Sequence, residues 1–236
     1  MFDQSYFFKL DPSFNTSVSP NKIGLAIIRT GIDSFHSAIL LVFNNQYFLM
    51  HLTGNFRIKA ESIQNLDSIY CVQWITNLEQ STIDFMILDF INIFNKYNKS
   101  IPYAPLYNPN HSYFNENLIY TGKLGFSCSS FIFHTFSRRE IKFIDIESWK
   151  ISPQTLAWQV DIINRLDKTP IENRKTLNTE DYIAELKSEL GISPRIRPDE
   201  LSAAGYFYIQ QSIPQHYDFV QSTLDSIHFT IDEVCA

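Results

Sequence analysis

Three cysteines and six histidines are the side chains of this 236-residue chain best suited to nucleophilic chemistry. Among the cysteines, Cys128 has the most favourable position. It lies in GFSCSSFIFHTF (Gly125–Phe136), where a glycine-containing loop gives way to a helical pattern. Ser127 stands at the N-cap position, and Phe131, Ile132, Thr135 and Phe136 share one face. A thiol in the first turn of a helix feels free backbone N–H groups and the positive end of the helix dipole, and both favour the thiolate. The same N–H groups can receive the oxyanion that forms when a thiolate attacks a carbonyl. The alternative is a buried core cysteine, because free Cys packs as a small hydrophobe. Cys71, in a strand-like run beside Val72 and Trp74, and Cys235 both read as structural.

A nucleophilic thiol needs a base, and the six histidines are His36, His51, His111, His134, His216 and His228. His36 and His51 flank HSAILLVF and YFLMHL, two apolar runs on either side of Asn44-Asn45. Asn tolerates the left-handed backbone of a tight hairpin turn. With Asn44-Asn45 as a two-residue turn, Phe43 faces Gln46 and Ala38 faces His51. His36 then lies diagonal to His51 on one sheet face, with Cα atoms roughly 7–8 Å apart. That spacing suits a base and a polar group orienting it, although one residue of slippage would separate the two rings. His134 follows Cys128 by six residues and points away from the thiol, while His111 falls in an irregular loop and reads as solvated.

These side chains must be positioned by a mixed set of elements. Strands are expected at Ile23–Arg29, along the two arms of the hairpin, at Ser68–Ile75 and at Ile141–Ile146. Both hairpin arms are apolar on two faces, which places them centrally in a sheet. Ser81–Tyr97 is helical, with Ile83, Ile87, Phe90, Ile91 and Phe94 inward and Ser81 or Thr82 as cap. A Pro-, Asn- and Gly-rich stretch runs from Ile101 to the Cys128 helix. Three helices, Pro153–Leu166, Thr179–Leu190 and Pro198–Ile213, fill the last third. Strands early and helices late give an α+β fold, an antiparallel sheet packed against helices. Residues 1–150 would form a catalytic core and 151–236 a helical extension packed on it.

Hydrophobic residues make up 44% and aromatics 15% of the chain, enough for a packed core and against global disorder. The net charge of −6 argues against broad binding to nucleic acid or anionic membranes. No apolar run is long enough to span a bilayer, and no secretory signal is visible. With an odd cysteine count and no C-x-x-C pair, a reduced, cytoplasmic protein without disulfides is expected, although export without a cleavable signal would look the same. No phosphate-binding glycine motif or H-E-x-x-H is present, and neither a cofactor nor a metal is expected.

The order of these pieces resembles the circularly permuted NlpC-type papain-like hydrolases, which include the lecithin:retinol acyltransferase-like proteins. A strand opens with His, a hairpin returns through an aromatic-aliphatic segment ending in His-Leu, a long helix and a Tyr-containing segment (IPYAPLYN) follow, and Cys opens a helix. The resemblance spans about Ile23 to Ile146. It implies a permuted papain-like core with Cys128 as nucleophile, His36 as base and His51 as the orienting residue, acting on a peptide, acyl or other small-molecule amide or ester. Ser37 stands where the acyltransferase branch commonly has Trp, and Ser127 where it has Asn. A lipid acyltransferase or thioesterase, with an acyl groove along the aromatic loop Pro102–Phe114, is the first alternative. A papain-like scaffold serving only as a binding module is the second.

Overall fold

The computed structural model describes residues 2–14, 20–32, 34–54, 57–168 and 179–235. Within them, six strands form one antiparallel sheet: β1 (Phe7–Leu10), β2 (Lys22–Gly31), β3 (Ser34–Phe43), β4 (Gln46–Thr53), β5 (Arg57–Ser62) and β6 (Tyr70–Trp74), in the order β1-β6-β2-β3-β4-β5. Seven α-helices follow: α1 (Gln80–Tyr97), α2 (Cys128–Ser137), α3 (Pro153–Lys168), α4 (Thr179–Ser188), α5 (Pro198–Gln211), α6 (Tyr217–Gln221) and α7 (Leu224–Cys235). The architecture is α+β, as the sequence implies. No helix among the described residues is long and apolar enough to cross a membrane.

The β3–β4 hairpin forms in the expected register. Asn44 and Asn45 both adopt positive φ, at 50° and 62°, and Phe43 pairs with Gln46, Val42 with Tyr47, and so on to Ile39 with Met50. Two successive left-handed residues match the twist of the flanking strands, which is why Asn-Asn closes this turn. Side chains alternate between two cores. Phe35, Ile39, Leu41, Met50 and Leu52 face the helices, together with Ile83, Met86, Phe90, Phe131, Phe136 and Tyr206. Ala38, Leu40, Val42, Tyr47 and Leu49 face a second cluster closed by Leu10, Ile63, Leu66 and Tyr70. Ile63 and Leu66 come from the link between β5 and β6, so the sheet is capped on its second face by its own connection. The main core draws on Leu201, Ala203, Ala204 and Ile227 as well as on the strands, so the last third of the chain helps build it.

Several elements depart from the sequence reading. Ile141–Ile146 is not a strand of the sheet; it makes one isolated bridge, Ile144 to Gln215. Its apolar residues are buried by ring packing instead, with Phe143 4.8 Å from Phe136 and 5.2 Å from Tyr208. Neither β1 nor β5 is expected from the sequence. β5 is an edge strand that carries charged Arg57, Lys59 and Glu61 at alternate positions, and charged edges are commonly protected from further pairing. Helix α1 starts at Gln80, with Glu79 as N-cap and no side-chain cap, rather than at Ser81 or Thr82. Met86 and Ile93 join Ile83, Ile87 and Phe90 as its fully buried apolar residues, Ile91 and Phe94 pack against the same core partly buried, and Asp89 is buried too. The carboxylate of Asp89 is held by Nε and Nη2 of Arg139, at 2.8 and 2.9 Å, which makes its burial tolerable.

Candidate active site

The hairpin ladder ends at Ile39 and Met50. Carried on, it would pair Ala38 with His51 and Ser37 with Leu52. Instead β3 continues along β2, through Ser37 to Ile27, His36 to Ile28 and Phe35 to Arg29, while β4 continues along β5, with His51 opposite Lys59. Hydrogen-bonded pairs alternate along an antiparallel ladder, and Phe43, Leu41 and Ile39 occupy them. The Ser37 N–H therefore points toward β4 at the place where β4 has turned away. The tip of α2 meets the strand here. The Ser37 N–H donates to the Cys128 sulfur, and the Ser37 hydroxyl lies 3.1 Å from that of Ser129.

The tip itself is locally determined. Ser130 N–H donates to Ser127 Oγ at 3.2 Å and Ser127 N–H donates to Ser130 Oγ at 2.8 Å, a reciprocal capping box. Cys128 is therefore the first helical residue, and its N–H and that of Ser129 have no acceptor within the helix. The approach to this cap depends on Gly125, whose φ is +98°. A Cβ there would sit 2.1 Å from the Pro102 carbonyl oxygen. Its absence lets Phe126 N–H reach that oxygen at 3.0 Å and places Tyr103 beside the helix start.

Cys128 and His36 lie close enough for each to shift the other's ionisation, and the His36 Nε2 lies 2.6 Å from the His51 Nδ1. With Nε2 engaged, the His36 Nδ1 is the nitrogen left for the thiol. Burial raises the Cys128 pKa. The hydrogen bond and positive charge of His36, the Ser37 N–H and the Ser129 hydroxyl outweigh it, and the pKa falls to about 7. Burial disfavours the charged form of His36 as well, yet its bond to Cys128 and the charge of the thiolate raise its pKa above the ordinary value. Each partner moves the other toward charge, which favours a thiolate–imidazolium pair.

His51 goes the other way. Burial, helped by the charges of His36 and Lys59, lowers its pKa to about 3, so it is neutral. A neutral ring that accepts at Nδ1 carries its proton on Nε2, and His36 must then donate from its own Nε2. That assignment keeps the lone pair of neutral His36 on Nδ1, toward the sulfur, and makes His51 an orienting group. The His51 Nε2 is itself buried without a partner among the described residues.

Cys128 is only 8% exposed, but it borders a cavity of about 540 Å³. His36, Ser127, Ser129, Tyr103, Trp158, Arg195 and Pro198 are among the residues that line it. Sequence reasoning singled out Cys128, His36 and His51, and the fold brings all three together. It did not single out Ser37, Tyr103, Trp158 or Arg195, which reach the site through long-range packing. Burial raises the pKa of the Tyr103 hydroxyl, so it remains a proton donor in the cavity wall.

The remaining histidines serve the structure. His134 accepts from the Phe114 N–H at Nε2, 3.2 Å, and lies 3.0 Å from the Tyr107 hydroxyl; burial holds its pKa at about 4. His111 is not simply solvated, since its Nδ1 lies 2.9 Å from Glu189 Oε1. His228 bonds Asp199 at 2.8 Å and His216 caps α6. Among the described residues no three His, Cys, Asp or Glu side chains gather as a metal site would require. Comparison of the chain with protein-family models, with curated proteins and with solved structures gives no match.

Proposed function

We propose that this protein is a cysteine hydrolase of the permuted papain-like kind, acting on an amide or ester. One observation carries the reading: the Cys128 thiol, at a helix N-terminus, lies beside His36, whose Nε2 is held by neutral His51. The Cys128 thiolate attacks the substrate carbonyl and a tetrahedral oxyanion forms at the α2 tip, within reach of the Cys128 N–H. The His36 imidazolium gives its proton to the leaving amine or alcohol as the C–N or C–O bond breaks, leaving an acyl-thioester. Neutral His36 then takes a proton from water, which attacks the thioester and releases the acid and the thiol. With an amine or alcohol in place of water, the same site transfers the acyl group.

The order of elements, His-bearing hairpin before the Cys helix, supports the permuted papain-like reading, with the helices after residue 150 as an addition to that core. The three cysteines are unpaired, as a thiol enzyme working in a reducing, cytoplasmic setting requires. The aromatic loop does not favour a lipid substrate. Tyr107 and Phe114 are 2% and 4% exposed and pack on Phe126 and His134, so these two rings offer little surface to an acyl chain. The test is acyl-enzyme trapping. Incubation with p-nitrophenyl acetate, rapid acid quench and peptide mass spectrometry should place a hydroxylamine-labile acetyl group on Cys128. Label confined to Cys71, Cys235 or lysines would refute the proposal.

A further inference from the structure

The cavity beside Cys128 contains a cation without an ion-paired carboxylate among the described residues. Among the described residues that line it, Arg195 is the one Lys or Arg, and none is Asp or Glu. The Arg195 guanidinium lies over the Trp158 ring, with its Cζ 3.4 Å from the ring centroid. Stacking of this kind occupies the face of the fork and leaves its N–H edge available for a planar anion. Among the described residues no carboxylate forms an ion pair with it. The two acids nearest in sequence are committed elsewhere: Asp199 to Arg197 and to His228, at 2.5 and 2.8 Å, and Glu200 to Trp149, Gln221 and the Arg197 N–H.

The position is rigidly built. The Pro194 carbonyl accepts from the Tyr107 N–H at 2.8 Å, and Ile196 and Pro198 on the other side are buried. Buried Gln159, next to Trp158, donates to the Ser193 carbonyl at 3.2 Å and so ties α3 to the segment carrying Arg195. A partly desolvated guanidinium with no acid partner is costly unless something else neutralises it. Burial, the largest influence on Arg195, lowers its pKa in keeping with that cost, and the nearby Tyr103, Glu200 and Asp199 offset it only in part.

The geometry points to Arg195, stacked on Trp158, as the anchor for a carboxylate on the substrate, so that the bond opened at Cys128 belongs to an acid-bearing amide or ester. This rests on Cys128 being the nucleophile. It adds that the substrate is anionic and bound through a bidentate fork. A cavity of about 540 Å³ has a cube root of about 8 Å, so the carboxylate sits a few bonds from the reacting carbon.

Affinity alkylation tests the anchor directly. N-Bromoacetylglycine, N-bromoacetyl-4-aminobutyrate and their methyl esters each alkylate a thiolate: the sulfur forms a bond to the methylene carbon as bromide leaves with the bonding pair. Two spacers are used because the His36 imidazolium, beside the sulfur, would favour only the nearer carboxylate. With the better spacer, the acid should modify Cys128 about tenfold faster than its ester, relative to the same ratio for glutathione. Arg195→Gln should abolish that preference while leaving both ester rates within about twofold, and Arg195→Lys, which keeps the charge without the fork, should restore only part of it. The unchanged ester rates report that the variants remain folded. An acid-over-ester ratio no higher than that of glutathione with either spacer would overturn the anchor, as would a ratio that Arg195→Gln leaves intact. Ester alkylation of Cys128 as slow as that of glutathione would overturn the thiolate reading instead, with the ratio still deciding the anchor.

Discussion

Removing the imidazole of His36 should shift the reactivity of Cys128 along the pH axis. In the intact protein the thiol titrates at about 7, below its ordinary 9.0, chiefly because His36 donates to the thiolate and lies beside it. Burial pushes the other way, so His36→Ala should leave the thiol at 9 or above. The thiolate form lies above the pKa, so intact protein is reactive from about pH 7 upward and the variant only at higher pH. Near pH 6.5 a thiol titrating at 7 is about one-quarter thiolate and one titrating at 9 about 0.3%, a difference of roughly 75-fold. A less basic thiolate is intrinsically a weaker nucleophile. With a Brønsted slope of about 0.4–0.5, two pKa units take back about six- to tenfold, leaving the intact protein roughly tenfold faster. Iodoacetamide alkylation of Cys128, followed by peptide mass spectrometry from about pH 5 to 10, with glutathione for reference, reads both midpoints. A midpoint near 9 in the intact protein, or one unmoved by His36→Ala, would refute the pairing.

Three further outcomes are expected. His51→Ala should lower p-nitrophenyl acetate turnover at least tenfold while leaving alkylation at neutral pH within about threefold, because it frees His36 to rotate without removing it from the thiol; His51→Gln, which retains an acceptor for the His36 Nε2–H, should recover part of the loss. Gly125→Ala would force a Cβ to within 2.1 Å of the Pro102 oxygen at a φ of +98°, and urea unfolding should show a loss of about 2–4 kcal/mol with disturbed Cys128 reactivity. Acid should weaken the fold through His134. Its folded pKa of about 4 lies below the ordinary 6.5, so its contribution is intact above 6.5 and is lost as pH falls through 4. The difference amounts to about 3 kcal/mol, measurable by urea unfolding at pH 7 and pH 4, and His134→Asn should flatten that dependence.

Much of the site rests on local chemistry that can be read along the chain. Asn44-Asn45 tolerates left-handed backbone, and period-two alternation then fixes which residues share a face; together these place His36 with His51 before any coordinates. Ser127 and Ser130 set the start of α2, and hence the first-turn position of Cys128, through bonds that span only three residues. Gly125 is less legible. Its need for positive φ arises from the Pro102 carbonyl, 23 residues earlier.

Only the folded chain decides where the sheet stops being one sheet. The parting of β3 from β4 after Ile39 and Met50 leaves the Ser37 N–H free for the sulfur. It depends on β2 and β5 each holding one arm, a competition between partners distant in sequence. The same holds for the cavity wall. Trp158 and Arg195 lie on separate segments whose meeting is set by Gln159, Ser193 and Tyr107, and no periodicity encodes such contacts. Thus the sequence itself determined which groups could react and how each is presented on its own element, because turns, caps and alternation are short-range. Tertiary packing alone decided that thiol, imidazole and guanidinium face one cavity, because that outcome depends on which distant surfaces bury one another.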